Sequence, residues 1–361
     1  MDRAIRLRAE ALKAHFEAAG AQAIETSILQ PAEVLLDLYG EDIRARAYVT
    51  QDPLRGEQML RPDFTVPVVQ MHMADGAEPA RYTYAGEVFR RQEQATGRAS
   101  EYVQVGYEVF DRATPAAADA EVFALISAPL APLRLRAVMG DVGLLIAAVD
   151  GLDTTDARKQ ALRRHIWRPK RFRALLDRYS GTSPIPETRA ALLASADPFA
   201  GAGLEIGLRS RAEIEDRIDA LRADQKAAPI VARDVAQINR LLSIKGTLPH
   251  ALTALTELSK DLTAIKPAVA RIQERAQAMA SRGINLDEIE FEAGYGRSSM
   301  EYYDGFVFGL YSDDAKLPPV ATGGRYDALT RVLGQGTFLT RCAPFLVLNA
   351  RMFRASPTSQ Q

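Results

Sequence analysis

Tyr84-Ala85-Gly86-Glu87-Val88-Phe89-Arg90-Arg91-Gln92, continuing through Gly97-Arg98 to Gln104-Val105-Gly106-Tyr107-Glu108-Val109-Phe110, decides how this chain is read. Both ends are rich in β-branched and aromatic residues, and the middle is charged. That pattern predicts two strands, 81–89 and 102–110, joined by a long loop. Gln104 and Glu108 lie four residues apart and therefore share one face of their strand. A glutamate in a strand is either a solvated outer-face residue or part of a polar pocket. The segment Leu60-Arg61-Pro62-Asp63-Phe64-Thr65 has a similar double reading. Asp63 and Thr65 suit the cap of a helix that starts there. They equally suit an ammonium group, which needs acceptors and a compensating charge.

Outward from the hairpin, Ile5, Ala9, Leu12 and Phe16 recur at helical spacing, with Gly20 as a stop. A short strand is expected over 24–29 and a helix over 35–39. Strands are expected over 46–49 and 58–61, around a turn at Asp52-Pro53, and a helix over 65–72. After the hairpin come an alanine-rich helix at 117–130, a strand at 133–139 and a helix from Val142. Hairpins rather than regular crossovers link these elements, which argues for an antiparallel sheet covered by helices. From 154 to 283 only helical stripes recur, among them Val231, Val235, Ile238 and Leu241, then Leu252, Leu255, Leu258 and Leu262. No strand is expected there. Strands return at 289–293, 305–311 and 345–348, with Gly323-Gly324-Arg325-Tyr326-Asp327 turning into a helix. The expected organisation is α+β: a sheet domain over 1–153 and 284–354, interrupted by an all-helical insertion, 154–283, with a disordered tail at 355–361.

Composition narrows the function classes. The 361 residues carry a formal net charge of −1, with 47% apolar and 25% charged residues, as in an ordinary soluble globular protein of two or three domains. Such a balance gives no global attraction to nucleic acid. One local basic run, 156–178, holds nine Lys/Arg and two Asp around Trp167. It reads as a solvated helix face or a protein contact before an RNA contact, with Trp167 as a packing anchor. Cys342 is the only cysteine, which excludes an internal disulfide and suggests a buried thiol. His15, His72, His165 and His250 have no ligand spacing, so no metal is expected. Phosphate-loop and dinucleotide glycine motifs are absent from the sequence, and no cofactor is expected. The charged N-terminus lacks a secretion segment and no apolar run approaches membrane length, so a cytoplasmic location is the default expectation.

The hairpin resembles the second signature motif of class II aminoacyl-tRNA synthetases, the histidyl type most closely. Three further segments resemble that type: Leu60-Arg61-Pro62-Asp63-Phe64-Thr65, Glu301-Tyr302-Tyr303-Asp304-Gly305-Phe306-Val307-Phe308, and Gly323-Gly324-Arg325-Tyr326-Asp327. The resemblance implies a class II synthetase-like antiparallel sheet and a pocket for histidine. In it, Asp63 and Thr65 face the amino group, Arg90 holds anions and Gln104 lines the wall. Glu108 bonds the imidazole, and Tyr303 and Tyr326 close the pocket. The nucleotide side departs from the family pattern. Gln92 stands for a glutamate, Ser100 for an arginine, Ser298 for the catalytic arginine and Ala350 for a glutamate, leaving Arg351 of the last motif. Serine cannot supply the cation that stabilises a transferring adenylate, so no catalytic residue is expected. The chain also ends where synthetases of this type continue into an anticodon-binding domain.

The whole pattern is similar to the regulatory chains of short-form ATP phosphoribosyltransferase, truncated relatives of histidyl-tRNA synthetase. That resemblance implies a partner, the short catalytic subunit of the first step of histidine biosynthesis. It also implies pairing with a second copy through the sheet domain, and histidine as effector, bound in the retained pocket or at a subunit interface. The alternative is a minimal ligase that adenylates histidine or a related amine.

Overall fold

The computed structural model describes residues 3–39, 42–92, 99–203, 206–297, 303–314, 317–333 and 341–348. Ser298, Ala350, Arg351, the Gly97-Arg98 pair and the 355–361 tail lie outside the described residues, as does the side chain of Cys342.

Helix α1 (Arg3–Ala18) buries Ala9 and Phe16, and Gly20 follows with φ of +94°. The chain then lays down β1 (Gln22–Ala23), β2 (Leu29–Pro31), α2 (Ala32–Tyr39), α3 (Asp42–Arg46), β3 (Val49–Asp52) and β4 (Gly56–Leu60). Helix α4 (Thr65–Asp75) leads into the hairpin of β5 (Ala80–Phe89) and β6 (Glu101–Phe110). Ten residue pairs hold its register, from Ala80 opposite Phe110 to Phe89 opposite Glu101. Next come α5 (Pro115–Ser127), β7 (Arg136–Asp141) and α6 (Val142–Asp150).

The 154–283 segment contains α7 (Asp156–Arg164), α8 (Pro169–Tyr179), α9 (Glu187–Ala194), α10 (Arg211–Lys226), α11 (Ala232–Ser243), β8 (Lys245–Thr247), α12 (Leu248–Asp261) and α13 (Lys266–Ser281). Strands β9 (Ile289–Glu292), β10 (Phe306–Tyr311) and β11 (Ala321–Arg325), helix α14 (Asp327–Leu333) and strand β12 (Arg341–Leu348) complete the chain. One nine-stranded sheet runs β1-β5-β6-β12-β11-β10-β7-β9-β8, and β2-β4-β3 form a small second sheet. The large sheet is antiparallel except at β1/β5 and β7/β9. The hairpin thus sits inside the sheet, with β12 on the far side of β6. Eight consecutive residues of β6, Val103 to Phe110, are buried.

Four expectations need correction. Of the strand expected over 24–29 only Leu29 is in a strand, the start of β2, and Arg61 takes hydrogen bonds of the segment before it: its N–H meets the Ile28 carbonyl and its Nη1 the Thr26 carbonyl. Residue 46 closes the helical turn of α3, which turns Ile43 and Ala47 inward. The strand expected at 133–139 starts only at Arg136. A 3₁₀ turn over Ala128–Leu133 precedes it, and Arg134 takes a left-handed conformation (φ +48°). The 154–283 segment is helical except for β8, whose three residues pair with β9 and extend the main sheet. Three residues are too few to leave a period-two signal.

Buried charge ties this segment to the sheet. From α13, Arg275 donates to Asp119 on α5 at 3.1 Å and to Asp141 at the end of β7 at 2.8 Å. Arg325 on β11 donates to the other oxygen of Asp119 at 2.7 Å. Residues 115–133 are apolar and long enough to cross a membrane. Asp119 and Glu121 within them are engaged in ion pairs, and Ala118, Val122 and Ile126 are buried, as in the core helix of a folded domain.

Candidate functional site

Glu108 is fully buried in β6, and three elements converge on it. From the neighbouring strand, the Tyr84 hydroxyl donates to Oε1 at 3.1 Å. From the β11–α14 corner, the Tyr326 hydroxyl donates to Oε2 at 2.9 Å. From the start of α4, the Thr65 side chain lies close enough to influence the same carboxyl group, and Asp63 adds its charge. Burial pushes Glu108 up to about 8, against the pull of the tyrosine and threonine hydroxyls, and Asp63 pushes it further the same way. Two hydroxyls and an acid in this arrangement can hold a nitrogen heterocycle or an ammonium group, with the proton on either partner.

Glycine makes this geometry possible. Gly106 lies between Gln104 and Glu108 on β6, and a Cβ there would come within 2.1 Å of the Tyr84 ring. The phenol therefore lies across bare backbone, with Phe64 stacked against its ring at 4.2 Å. Gly106→Ala is expected to destabilise the protein by about 1–3 kcal/mol through overpacking and to move the Tyr84 hydroxyl off Glu108. Urea unfolding checks the first effect. Loss of that hydroxyl, which favours the charged carboxylate, should raise the Glu108 titration, and carboxyl NMR checks the second. Gly324 does the same for Tyr303, whose ring would lie 2.7 Å from a Cβ at that position.

Of the two readings of Asp63 and Thr65, the helix-start contact is present. Asp63 Oδ1 accepts the Thr65 N–H at 3.1 Å, as a helix-start contact, while both side chains are buried beside Glu108. Gln104 is completely buried, and among the described residues neither its amide oxygen nor its nitrogen meets a partner at hydrogen-bonding geometry, although it lies close enough to Tyr84 to influence that phenol. An unmet buried polar group costs about 1–3 kcal/mol. Arg90 donates from Nε to the Pro62 carbonyl at 2.8 Å, one residue before Asp63, and its guanidinium lies over Tyr102. Tyr303 is buried and its carbonyl accepts the Trp167 indole N–H at 3.2 Å. Asp304 then caps α14 by accepting the N–H groups of Asp327 and Ala328. Burial, with Asp327 nearby, raises it to about 7.

Of the residues expected on a nucleotide side, Gln92 donates to the Arg90 carbonyl, and the Ser100 carbonyl accepts the Arg90 N–H. Both are half-buried and act in the loop backbone of the hairpin. Among the described residues no cluster of acids, histidines or cysteines has the arrangement of a metal site. The first half of the basic run is partly committed within the fold. Arg158 spends its three guanidinium nitrogens on Asp224 and the Ala228 carbonyl, and Arg163 faces Asp150. An open cleft of about 730 Å³ elsewhere, between α5 and β9, is lined mainly by alanine and aliphatic residues.

Reading by motif missed Tyr84, Phe64 and Trp167 as parts of the site. The signal for Tyr84 was present as a glycine inside a strand, directly opposite an aromatic. Trp167 left no such signal, because it meets Tyr303 across 136 residues of sequence.

Comparison with known proteins bears on the family and the fold. A family model described as Histidyl-tRNA synthetase matches residues 2–228 and 214–338. The chain is 32% identical over 347 residues to the ATP phosphoribosyltransferase regulatory subunit of Brucella ovis, covering 90% of each protein. It is 30% identical to that of Brucella anthropi over the same length and coverage. Its fold is similar to the crystal structure of an ATP phosphoribosyltransferase regulatory subunit/histidyl-tRNA synthetase from Bacillus halodurans C, with TM-score 0.62 and 22% identity, covering 94% of this chain and 75% of that one. It is also similar to histidyl-tRNA synthetase from Nostoc sp. PCC 7120, with TM-score 0.63 and 17% identity, covering 94% and 69%. These likenesses identify a class II synthetase-like α+β fold.

Proposed function

The chain belongs to the family of ATP phosphoribosyltransferase regulatory subunits built on the histidyl-tRNA synthetase fold, and from that premise we propose that it is the non-catalytic regulatory subunit of a short-form ATP phosphoribosyltransferase, required for its activity and for feedback inhibition by histidine. The observation that carries the histidine part of this reading is the buried floor of Glu108, Asp63 and Thr65 with the unmet Gln104 amide beside it. These groups suit an imidazole at one end and an ammonium at the other. Residues 1–153 and 284–354 would form the body that pairs with a second copy, and 154–283 the insertion. Histidine acts by binding one state of the complex better than the other, since only differential affinity shifts an equilibrium.

Mixing the purified chain with a short-form catalytic subunit is the direct test. The expected result is a stable complex, a gain in turnover and inhibition by histidine. ATP–pyrophosphate exchange with histidine, catalysed by this chain alone, would instead make it a ligase and end the regulatory reading.

Trp167 supplies an internal reporter. It is the only tryptophan, and its indole N–H is bonded to the backbone of Tyr303. Histidine entering the pocket is expected to shift or quench its emission, with a midpoint equal to the calorimetric Kd. Flat fluorescence alongside calorimetric binding would remove Tyr303 from the ligand site.

A further inference from the structure

We propose that this chain carries a second ligand site, for a small phosphate-bearing anion, where Arg297 meets the N-terminal turn of α8. Arg297 is 8% exposed. Its Nε donates to the Ile166 carbonyl at 3.0 Å, and its guanidinium lies 5.0 Å above the ring of Phe172, in the first turns of α8. Its Nη2 is buried and meets no acceptor among the described residues.

Other arginines buried as deeply are answered. Arg275 faces Asp119 and Asp141, Arg158 faces Asp224, and Arg61 spends its donors on the Glu87 and Thr26 carbonyls. Arg297 has no such acid among the described residues. The charge that bears on it is that of Arg173, which together with burial lowers its affinity for its proton. A buried cation next to another cation is held at a cost unless an anion joins it.

The end of α8 adds to the same field. This helix has eleven residues and starts at Pro169, with no acidic residue in its first turn and no side-chain cap from Arg168. Lys170, Arg171 and Arg173 are exposed around that turn, and only a loose 3.9 Å contact to Asp177 answers Arg173. A helix N-terminus without acid or cap, ringed by cations, attracts anions. The Arg297 fork, with Nε already occupied, presents its remaining edge to paired oxygens, as phosphoryl groups offer. A recessed arginine suits a small polyanion better than a nucleic-acid backbone. The turn that anchors Arg297 through Ile166 also carries Trp167, so an occupant is expected to be sensed at Tyr303.

The test is titration of the full chain with inorganic pyrophosphate and, separately, inorganic phosphate, by calorimetry and Trp167 emission. Saturable binding is expected, tighter for pyrophosphate and weakened by added chloride. Arg297→Met should weaken it about tenfold or more while the histidine response persists, which separates this site from the Glu108 pocket. If Arg297→Met does not fold, Arg173→Ala and a Lys170→Glu/Arg171→Glu double variant replace it, each expected to lower pyrophosphate affinity. No saturation by about 10 mM, or affinity unchanged in whichever of these variants fold, overturns the proposal. So does RNA binding tighter than pyrophosphate that needs Lys170 and Arg171 but not Arg297, which would reassign the patch to nucleic acid.

Discussion

Glu108→Ala is expected to weaken histidine binding by about 2–5 kcal/mol, at least about thirtyfold in Kd, and to relieve feedback inhibition of the assembled complex. The substitution removes the acceptor for two buried hydroxyls, Tyr84 and Tyr326, and the acid that would face an imidazole. Calorimetry on the free chain measures the first effect, and inhibition curves on the complex measure the second. Full histidine sensitivity in the variant would move the effector to a subunit interface.

The same residue sets a pH dependence. Glu108 titrates at about 8 in the folded chain, above the ordinary glutamate value of 4.5. The folded protein therefore holds this proton more tightly than the unfolded chain does. The resulting stabilisation is complete below about pH 4.5, and it is lost as the pH rises through about 8. Histidine binding follows a related rule. A free imidazole titrates near about 6.5, and the bound pair needs one proton between carboxyl and ring. Below about 6.5 one proton must leave on binding, and above about 8 one must be taken up. Affinity is expected to peak between those values and fall on both sides. Glu108→Gln keeps the shape but not the titration, so its alkaline fall should vanish. A wild-type profile that is flat from pH 6 to 9 would contradict the proton-sharing pocket.

Asp119→Ala is expected to cost about 3–5 kcal/mol of stability, a large share of the roughly 5–15 kcal/mol by which a domain exceeds its unfolded state. Asp119 answers two buried arginines at once, Arg275 from α13 and Arg325 from β11. Removing it leaves Arg275 with Asp141, and Arg325 with the Pro115 carbonyl and a 3.6 Å approach to Asp327. Because Arg325 directly precedes Tyr326, a loosened β11 should also lower histidine affinity. Urea unfolding and calorimetry together check both effects. Asp119→Asn, which keeps an acceptor but drops the charge, should fall between. A loss under about 1 kcal/mol in Asp119→Ala would mean that water already shares these charges.

The first hairpin and the helix entered at Thr65 are legible in sequence because each rests on neighbours along the chain. Alternation and a cap declare themselves within ten residues, whereas Gly323, Gly324 and Arg325, expected in a turn, pair as the end of β11. Asp63, Thr65 and Tyr326 were legible as neighbours of Glu108 for the related reason that they lie inside recognisable local motifs, whereas Tyr84 was not. What sequence could not supply is the answer to each buried charge. Whether Arg61 breaks a strand at 24–29, whether Arg275 locks a helical segment to a sheet, and whether Arg297 stays unanswered are matters of partners between 35 and 156 residues apart.

Sequence by itself determined the kinds of group available to bind: an acid, an amide and hydroxyls, placed by strand and turn periodicity. Tertiary structure alone decided which of them leave water, and therefore that Glu108 holds its proton near neutrality and that Gln104 is buried without a well-formed hydrogen bond among the described residues. The reason is that ionisation and hydrogen bonding depend on the surrounding dielectric and donors, and packing of distant segments creates both.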